Sequence, residues 1–135
     1  MAEALVPAEI QTILEGSGLP FEVVPCDPED AETAVFAKKY GYAMEDSANC
    51  ILTKTKTGEE KFAASVVLAT TRLDVNKRVR KLLGARKVSF ASADEARALT
   101  GMELGGVTPL GLPEELPLWI DSRVMTRDQI ILGGG

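Results

Sequence analysis

One stretch of the chain stands apart from the rest: Thr100-Gly101-Met102-Glu103-Leu104-Gly105-Gly106-Val107-Thr108-Pro109-Leu110-Gly111-Leu112-Pro113. Glycine adopts positive φ and lets another group approach the backbone closely, whereas proline lacks a backbone donor and fixes the chain direction. The run 105–109 therefore predicts a rigid loop whose N–H groups could bind an anion or a carbonyl oxygen. The same run is also typical of an ordinary structural turn, and the sequence alone leaves both interpretations open.

Helices and strands alternate on both sides of this loop. Apolar spacing predicts helices over residues 7–16, 31–40, 75–83 and 93–99. Asp74 and Ser92 are the expected N-caps, and Glu95 completes a capping box with Ser92. In the third helix the side chains expected to face the core are Val75, Val79, Leu82 and Leu83.

Alternating or continuous apolar runs predict strands over residues 21–24, 49–55, 61–69, 88–90, 118–121 and 129–132. The strands 49–55 and 61–69 flank Lys56-Thr57-Gly58-Glu59 and predict a hairpin. Because the run 62–69 is apolar almost throughout, we expect it to lie centrally in a mixed sheet.

Length and composition favour one domain over residues 1–135. The chain has 135 residues, 45% of them hydrophobic, which is enough for one core. No apolar run approaches the length of a membrane span, and Met1-Ala2-Glu3-Ala4-Leu5 lacks the features of a signal peptide. We therefore expect a cytoplasmic protein with no membrane partner.

Histidine is absent, and the cysteines are Cys26 and Cys50. The absence of histidine excludes a Ser-His-Asp or Cys-His arrangement and removes the commonest general base at neutral pH. Two cysteines are too few for a disulfide framework, and a zinc site without histidine would need an unusual ligand set. We expect neither a metal nor a cofactor.

The charge is distributed unevenly along the chain. The net charge is −5, which argues against indiscriminate binding of nucleic acid. Residues 72–87 nonetheless carry seven basic residues against the single acid Asp74. This basic stretch predicts either contacts with a few phosphates or the solvated face of an amphipathic helix.

Several segments, taken in order, resemble the YbaK family, whose members are free-standing relatives of the editing domain of bacterial prolyl-tRNA synthetase. The resemblance runs from about Gly18 to the end and is most specific at Thr100-Gly101 and at residues 105–111. Further matching segments are Val67-Leu68-Ala69-Thr70, Leu73-Asp74-Val75-Asn76-Lys77 and Trp119-Ile120-Asp121.

The resemblance implies a compact mixed α/β domain with a mixed, partly barrel-like β-sheet flanked by helices. It also implies hydrolysis of a small amino acid wrongly attached to tRNA, with aminoacyl-tRNA as substrate and an aminoacyl-tRNA synthetase as a further partner. Since the ester is already reactive, positioning and oxyanion stabilisation can supply much of the catalysis without histidine.

The resemblance also assigns roles to individual residues. The catalytic loop residues would be Gly105, Gly106, Val107 and Thr108. The substrate-binding residues would be Cys50, Thr70, Gly101, Pro109 and Asp121. The tRNA-binding residues would be Arg72, Lys77, Arg78 and Lys81. Structural alternatives stay open for two of these residues. Asp121 could instead bond turn N–H groups, and Thr70 could cap a turn. Trp119, next to Asp121, is better explained as a core residue.

The chain departs from the family at one position. Many editing members carry a lysine early in the strand before the hairpin turn, and alignment places Cys50 there. Lys54 has the same side-chain parity but lies about 13 Å further along an extended strand. Cys50 is consistent with core packing or with lining of the site, and covalent catalysis is disfavoured because no histidine is present to activate the thiol.

Two main functions therefore follow from the sequence, and hydrolysis of another small acylated compound is a third. The first is a trans-acting aminoacyl-tRNA deacylase in which water attacks the ester held by the glycine loop. The second is a catalytically degenerate module of the same shape that binds an amino acid, a nucleotide or a partner protein. The loop and the basic stretch favour the first, whereas Cys50 and the acidic net charge favour the second.

Overall fold

The computed structural model describes residues 7–24, 33–102 and 107–133. The α-helices are α1 (Ala8–Gly16), α2 (Thr33–Tyr40), α3 (Arg80–Leu83) and α4 (Ala93–Thr100). The strands are β1 (Ala48–Thr55), β2 (Phe62–Leu68), β3 (Val88–Phe90) and β4 (Leu118–Ile120). One π-helical turn, Val75–Val79, runs directly into α3, and short 3₁₀ turns cover Met44–Asp46 and Val124–Thr126.

The strands form one mixed sheet in the order β3-β1-β2-β4. β1 pairs antiparallel with β2, placing Cys50 opposite Val66, and also antiparallel with β3. β4 runs parallel to β2, so the long connection between them crosses the sheet and carries α3, β3 and α4. The mixed α/β fold, the hairpin and the central position of the 62–69 run are confirmed.

Side chains alternate between the two faces of the sheet. On the first, which we call the α4 face, Leu52 and Ala64 belong to the largest core cluster. That cluster comprises the buried residues Ile10, Leu52, Ala64, Ala91, Ala96, Met102, Val107 and Leu116. Its members come from α1, α4 and the segment that begins at Val107, so these parts cover the α4 face.

The opposite face, which we call the α3 face, holds a second cluster formed by Ala63, Val79, Leu83 and Val88. Trp119 packs against this cluster, which confirms its prediction as a core residue. The π-helical turn and α3 cover this face, and the sheet separates them from α1 and α4.

The C-terminal segment closes over the beginning of β1. Ile131 forms a single parallel bridge with Ser47, while Ile130 and Leu132 pack against a small cluster that includes Ala48 and Val66. The predicted strand 129–132 is thus reduced to one bridge, because the segment bonds only Asp46 and Ala48 at the start of β1.

Three further expectations need correction. Residues 21–24 form no strand, since they pair with no described strand and Phe21 is 43% exposed. The helix predicted over 75–83 begins with a π-helical turn instead of an α-helical one. Leu82 points outward and is 46% exposed, because it lies about 100° around the helix from the buried Leu83.

The predicted caps are confirmed. The Asp74 carboxylate accepts a hydrogen bond from the Lys77 N–H at 3.1 Å. At the start of α4, Ser92 and Glu95 form the full capping box, each side chain accepting from the other residue's backbone N–H. None of the described helices has both the length and the apolar character that crossing a bilayer requires.

Candidate active site

The candidate site centres on Cys50, which lies on the α4 face of β1. The register places Cys50 beside Val66 of β2, and Val66 beside Ile120 of β4, so the three side chains form a row across the sheet. Cys50 is half-buried and packs against the main cluster and the small C-terminal one. Burial raises the pKa of the Cys50 thiol to about 11, so the thiol is neutral at physiological pH.

The segment from Val107 onward packs on the same face. Val107 is buried in the main cluster together with Leu52 and Met102. Further along, Gly111 has φ +76°, and a Cβ there would lie 3.1 Å from Ile10 Cδ1 of α1. A larger residue at position 111 would be both strained and crowded, so α1 and this segment approach one another closely.

Thr108 is the most unusual residue of this segment. It is fully buried, and its Oγ1 has no hydrogen-bond partner among the described residues. Its N–H donates to the weak acceptor Met102 Sδ, at 3.5 Å. A buried hydroxyl without a partner costs free energy, and Thr108 shares this property with Ser47 and Ser65.

Gly101 ends α4 and determines how the chain leaves it. It has φ +73°, the left-handed conformation of a helix C-cap, and its N–H donates to the Arg97 carbonyl oxygen. The chain then continues through Met102, which is buried in the main cluster. Gly105 and Gly106 lie outside the described residues, and Pro109 is partly buried after Thr108.

Asp121 and Thr70 follow the ends of the parallel neighbours β4 and β2, at the same edge of the sheet. Asp121 Oδ1 accepts the Arg123 N–H at 2.8 Å, and both carboxylate oxygens bond the Arg123 side chain. These bonds hold the pKa of Asp121 below its usual value. Its carboxylate is therefore engaged in the turn, as the structural alternative expects. Thr70 is exposed in the turn after β2.

Lys54 also lies on the α4 face, two pleats beyond Cys50. Its Nζ lies 2.5 Å from Glu95 Oε2, so the side chain is directed to the first turn of α4. The Lys54 hydrogen bond, followed by the Ser92 N–H bond, lowers the pKa of Glu95. The Lys54 ammonium is therefore held at α4 and not at Cys50.

The predicted tRNA-binding residues occupy a different part of the molecule. Lys77, Arg78 and Lys81 are exposed on the π-helical turn and α3, which cover the α3 face. Arg72 is exposed in the connection that leads from β2 to this turn. The structure thus brings Cys50, Gly101, Val107 and Thr108 to one face, and it places three of the four basic residues over the other.

Two contributors were missed by the sequence analysis. Met102 accepts a hydrogen bond from the Thr108 N–H. Ile10 packs against Gly111, although the two residues are far apart in sequence. Neither residue type signals such a role by its spacing. Within ranges 7–24, 33–102 and 107–133, no group of three His, Cys, Asp or Glu side chains is arranged to hold a metal ion.

Comparison with known protein families finds a match over most of the chain. The model of the family described as the aminoacyl-tRNA editing domain matches residues 27–135, which includes all the candidate residues. The chain belongs to the aminoacyl-tRNA editing domain family. The resemblance to YbaK proteins and to the editing domain of prolyl-tRNA synthetase is confirmed with it.

Sequence relatives of this editing domain include two proline–tRNA ligases. The ligase of Bacillus licheniformis is 38% identical over 80 residues, covering 57% of this chain and 13% of the ligase. That of Bacillus cytotoxicus is 34% identical over 80 residues, or 58% of this chain and 14% of the ligase. The editing domain thus corresponds to a small part of each ligase's length.

Two solved structures share its fold over nearly the whole chain. The hypothetical protein APE2540 superimposes with a TM-score of 0.80 at 26% identity, covering 95% of this chain and 83% of that one. A proposed trans-editing enzyme for prolyl-tRNA synthetase gives a TM-score of 0.76 at 25% identity, covering 94% of this chain and 78% of that one.

Proposed function

We propose that this editing domain is a trans-acting deacylase that removes a small, wrongly attached amino acid from tRNA. The ester end lies over the Cys50 end of the α4 face, against Val107, Thr108 and Pro109. Gly105 and Gly106 complete the loop in this proposal and offer backbone N–H groups to the ester carbonyl. Water is the nucleophile, since the chain has no histidine and the Cys50 thiol is neutral.

The buried hydroxyl of Thr108 carries the proposal. Nothing among the described residues accepts or donates a hydrogen bond at its Oγ1, although the side chain is fully removed from solvent. An apolar residue of the same shape would avoid this cost. A ligand group that bonds the hydroxyl explains why the costly residue is present beside the glycine loop.

Cys50 and Ile120, on either side of the buried Val66, would line the floor beneath the aminoacyl group. These side chains are apolar or weakly polar, and Ile120 is 50% exposed. Such a floor selects by size and cannot pair with a charged side chain. Since one methylene in an apolar pocket is worth about 1–3 kcal/mol, we expect only modest discrimination between small amino acids.

The basic residues would bind the tRNA backbone away from the ester. Arg72 lies just after the end of β2, at the edge of the sheet near Thr70 and Asp121. Beyond it, the exposed basic side chains continue over the α3 face at Lys77, Arg78 and Lys81. The acceptor stem would pass around this edge. Replacing Lys77, Arg78 and Lys81 by Gln should weaken binding and reduce the slope of log K against log salt by roughly 0.7–0.9 per lost phosphate contact.

The decisive experiment is deacylation of a panel of mischarged tRNAs, including alanyl-tRNA for proline and prolyl-tRNA for cysteine. The wild type is compared with Thr108→Val, which keeps the shape and removes the hydroxyl. Deacylation should fall at least about tenfold in the variant, while its stability should equal or exceed that of the wild type.

Ser65→Ala is the matched control. The Ser65 hydroxyl is also buried without a partner among the described residues, but it lies on the α3 face. Its removal should leave deacylation unchanged. Equal loss in both variants, or no turnover by the wild type on any tRNA of the panel, would count against the proposed function.

A second candidate function is a binding module without chemistry, and Cys50 favours it. A neutral thiol stands where many family members carry a cation, and Lys54 is held by Glu95. Under this alternative the wild type binds but does not hydrolyse the substrate, whereas Cys50→Lys gains turnover. Turnover by the wild type itself rejects the alternative.

A further inference from the structure

A concave site lies far from Cys50, between the β1–β2 turn and the end of α3. It is a cleft of about 350 Å³ whose lining includes Thr55, Glu59, Lys61, Leu83, Ala85 and Arg86. Thr55 lies five residues beyond Cys50 on β1, about 17 Å along the strand, and on the α3 face. The cleft is therefore separate from the candidate active site.

The walls of the cleft are already in place without a ligand. Thr55 is buried, its Oγ1 donates to the Glu59 carbonyl oxygen at 2.8 Å, and it accepts the Lys61 N–H at 3.0 Å. The Lys56 N–H donates to the Lys87 carbonyl oxygen at 2.8 Å, which joins the turn to the segment after α3. These bonds fix the β1–β2 turn against the opposite wall.

Among the described residues, the charged groups of the cleft form no ion pairs with one another. Glu59 and Arg86 line the same space, yet neither forms an ion pair within the part of the chain that the structure describes. Lys61 Nζ donates to the Leu83 carbonyl oxygen at 3.4 Å, a long hydrogen bond that leaves the other ammonium protons available. A carboxylate and two cations thus face one cleft with their charge available to a ligand.

We propose that this cleft binds a free α-amino acid. The ligand carboxylate pairs with Arg86 and Lys61, and its ammonium pairs with Glu59. A small apolar side chain rests against Leu83 and Ala85. The volume is at the lower end of the range for small-molecule sites, which suits a ligand of this size. A ligand carrying only negative charge would face the Glu59 carboxylate without compensation.

The test is a titration of the isotopically labelled protein, followed through the amide signals of Gly58 and Gly84, which line the cleft. The probes are L-alanine, L-proline and L-leucine, with N-acetyl-L-leucine and L-leucinamide as analogues that each lack one charge. We expect saturable shifts with at least one free amino acid and none with either analogue. Glu59→Gln and Arg86→Gln should each weaken binding at least about tenfold.

Glu114→Gln and Lys38→Gln are the matched controls, because both residues are exposed and outside the cleft. They should leave the titration unchanged. Two results would overturn the proposal. In the first, inorganic phosphate shifts the same amide signals as strongly as the amino acids do, and Glu59→Gln binds phosphate more tightly. In the second, no probe gives a saturable shift. No tRNA is present, so this outcome is independent of deacylation.

Discussion

Lys54 Nζ and Glu95 Oε2 are 2.5 Å apart, and their ion pair joins strand β1 to the first turn of α4. Glu95 also accepts the Ser92 N–H in the capping box. One carboxylate therefore fixes both the start of α4 and its position on the sheet. Because α4 leads through Gly101 towards Val107 and Thr108, this contact helps to determine where the candidate active-site segment lies.

Glu95→Gln should lower the melting temperature at neutral pH by a few degrees at most, because both side chains of the pair remain partly exposed. Glutamine retains the capping bond and loses the charge. The pKa of Glu95 in the folded protein is below its ordinary value of 4.5, so the stabilisation is complete above that value and is lost as the pH falls through the folded-state pKa. Melting curves of the two proteins should converge at acid pH, whereas Glu114→Gln should match the wild type throughout.

Cys50 should react slowly with iodoacetamide near neutral pH. Burial moves its pKa from 9.0 to about 11, and a shift of two units leaves roughly 100-fold less thiolate than in an unperturbed thiol. The rate should keep rising with pH beyond 9. The Cys26→Ser protein isolates the Cys50 signal, and the same protein in denaturant supplies the reference rate. Equal rates in the folded and denatured protein at neutral pH would contradict the prediction.

Gly101→Ala should destabilise the fold by about 1–2 kcal/mol, since position 101 adopts φ +73°. A Cβ at this position would meet no atom within 4 Å, so conformational strain is the only cost. Gly16 in α1 is the comparison: it has no positive φ and equal space around it. Gly16→Ala should be neutral or stabilise by up to about 1 kcal/mol in denaturant titrations. A similar loss in both variants would show that the left-handed conformation is not the cause.

Leu52→Ala should cost about 2–5 kcal/mol, because Leu52 is 2% exposed at the centre of the main cluster. Leu19→Ala, at a site that is 70% exposed, should change stability by less than about 0.5 kcal/mol. Both values come from denaturant-induced unfolding. A loss below about 1 kcal/mol for Leu52→Ala would show that the α4 face is packed less tightly than the structure indicates.

Much of the fold was predictable because local signals agreed with tertiary packing. The capping box at Ser92, the cap at Asp74 and the apolar run of β2 each act through neighbours in sequence. The strand predicted over 21–24 failed because alternation alone supplies no partner strand. The predicted burial of Leu82 was wrong for a different reason, since Leu82 and Leu83 lie about 100° apart around the helix and only Leu83 is buried.

The candidate site was predictable only in part. Gly101 and Thr108 were found through family resemblance, and their spacing alone would have left an ordinary turn equally plausible. That Thr108 Oγ1 has no hydrogen-bond partner in the described part of the chain, and that Asp121 is engaged by Arg123, depends on three-dimensional contacts that no residue pattern encodes. The separation of the basic residues from Cys50 follows from the crossover between β2 and β4.

The four-stranded sheet lies between two groups of residues, one on the α4 face and one on the α3 face. These two compartments can evolve separately. Residues more than about 7–10 Å apart and without shared partners usually combine their effects additively. Changes around Thr108 and changes around Arg86 should therefore accumulate independently. Selection could alter what one compartment recognises without disturbing the other, and a protein engineer could exchange either surface separately.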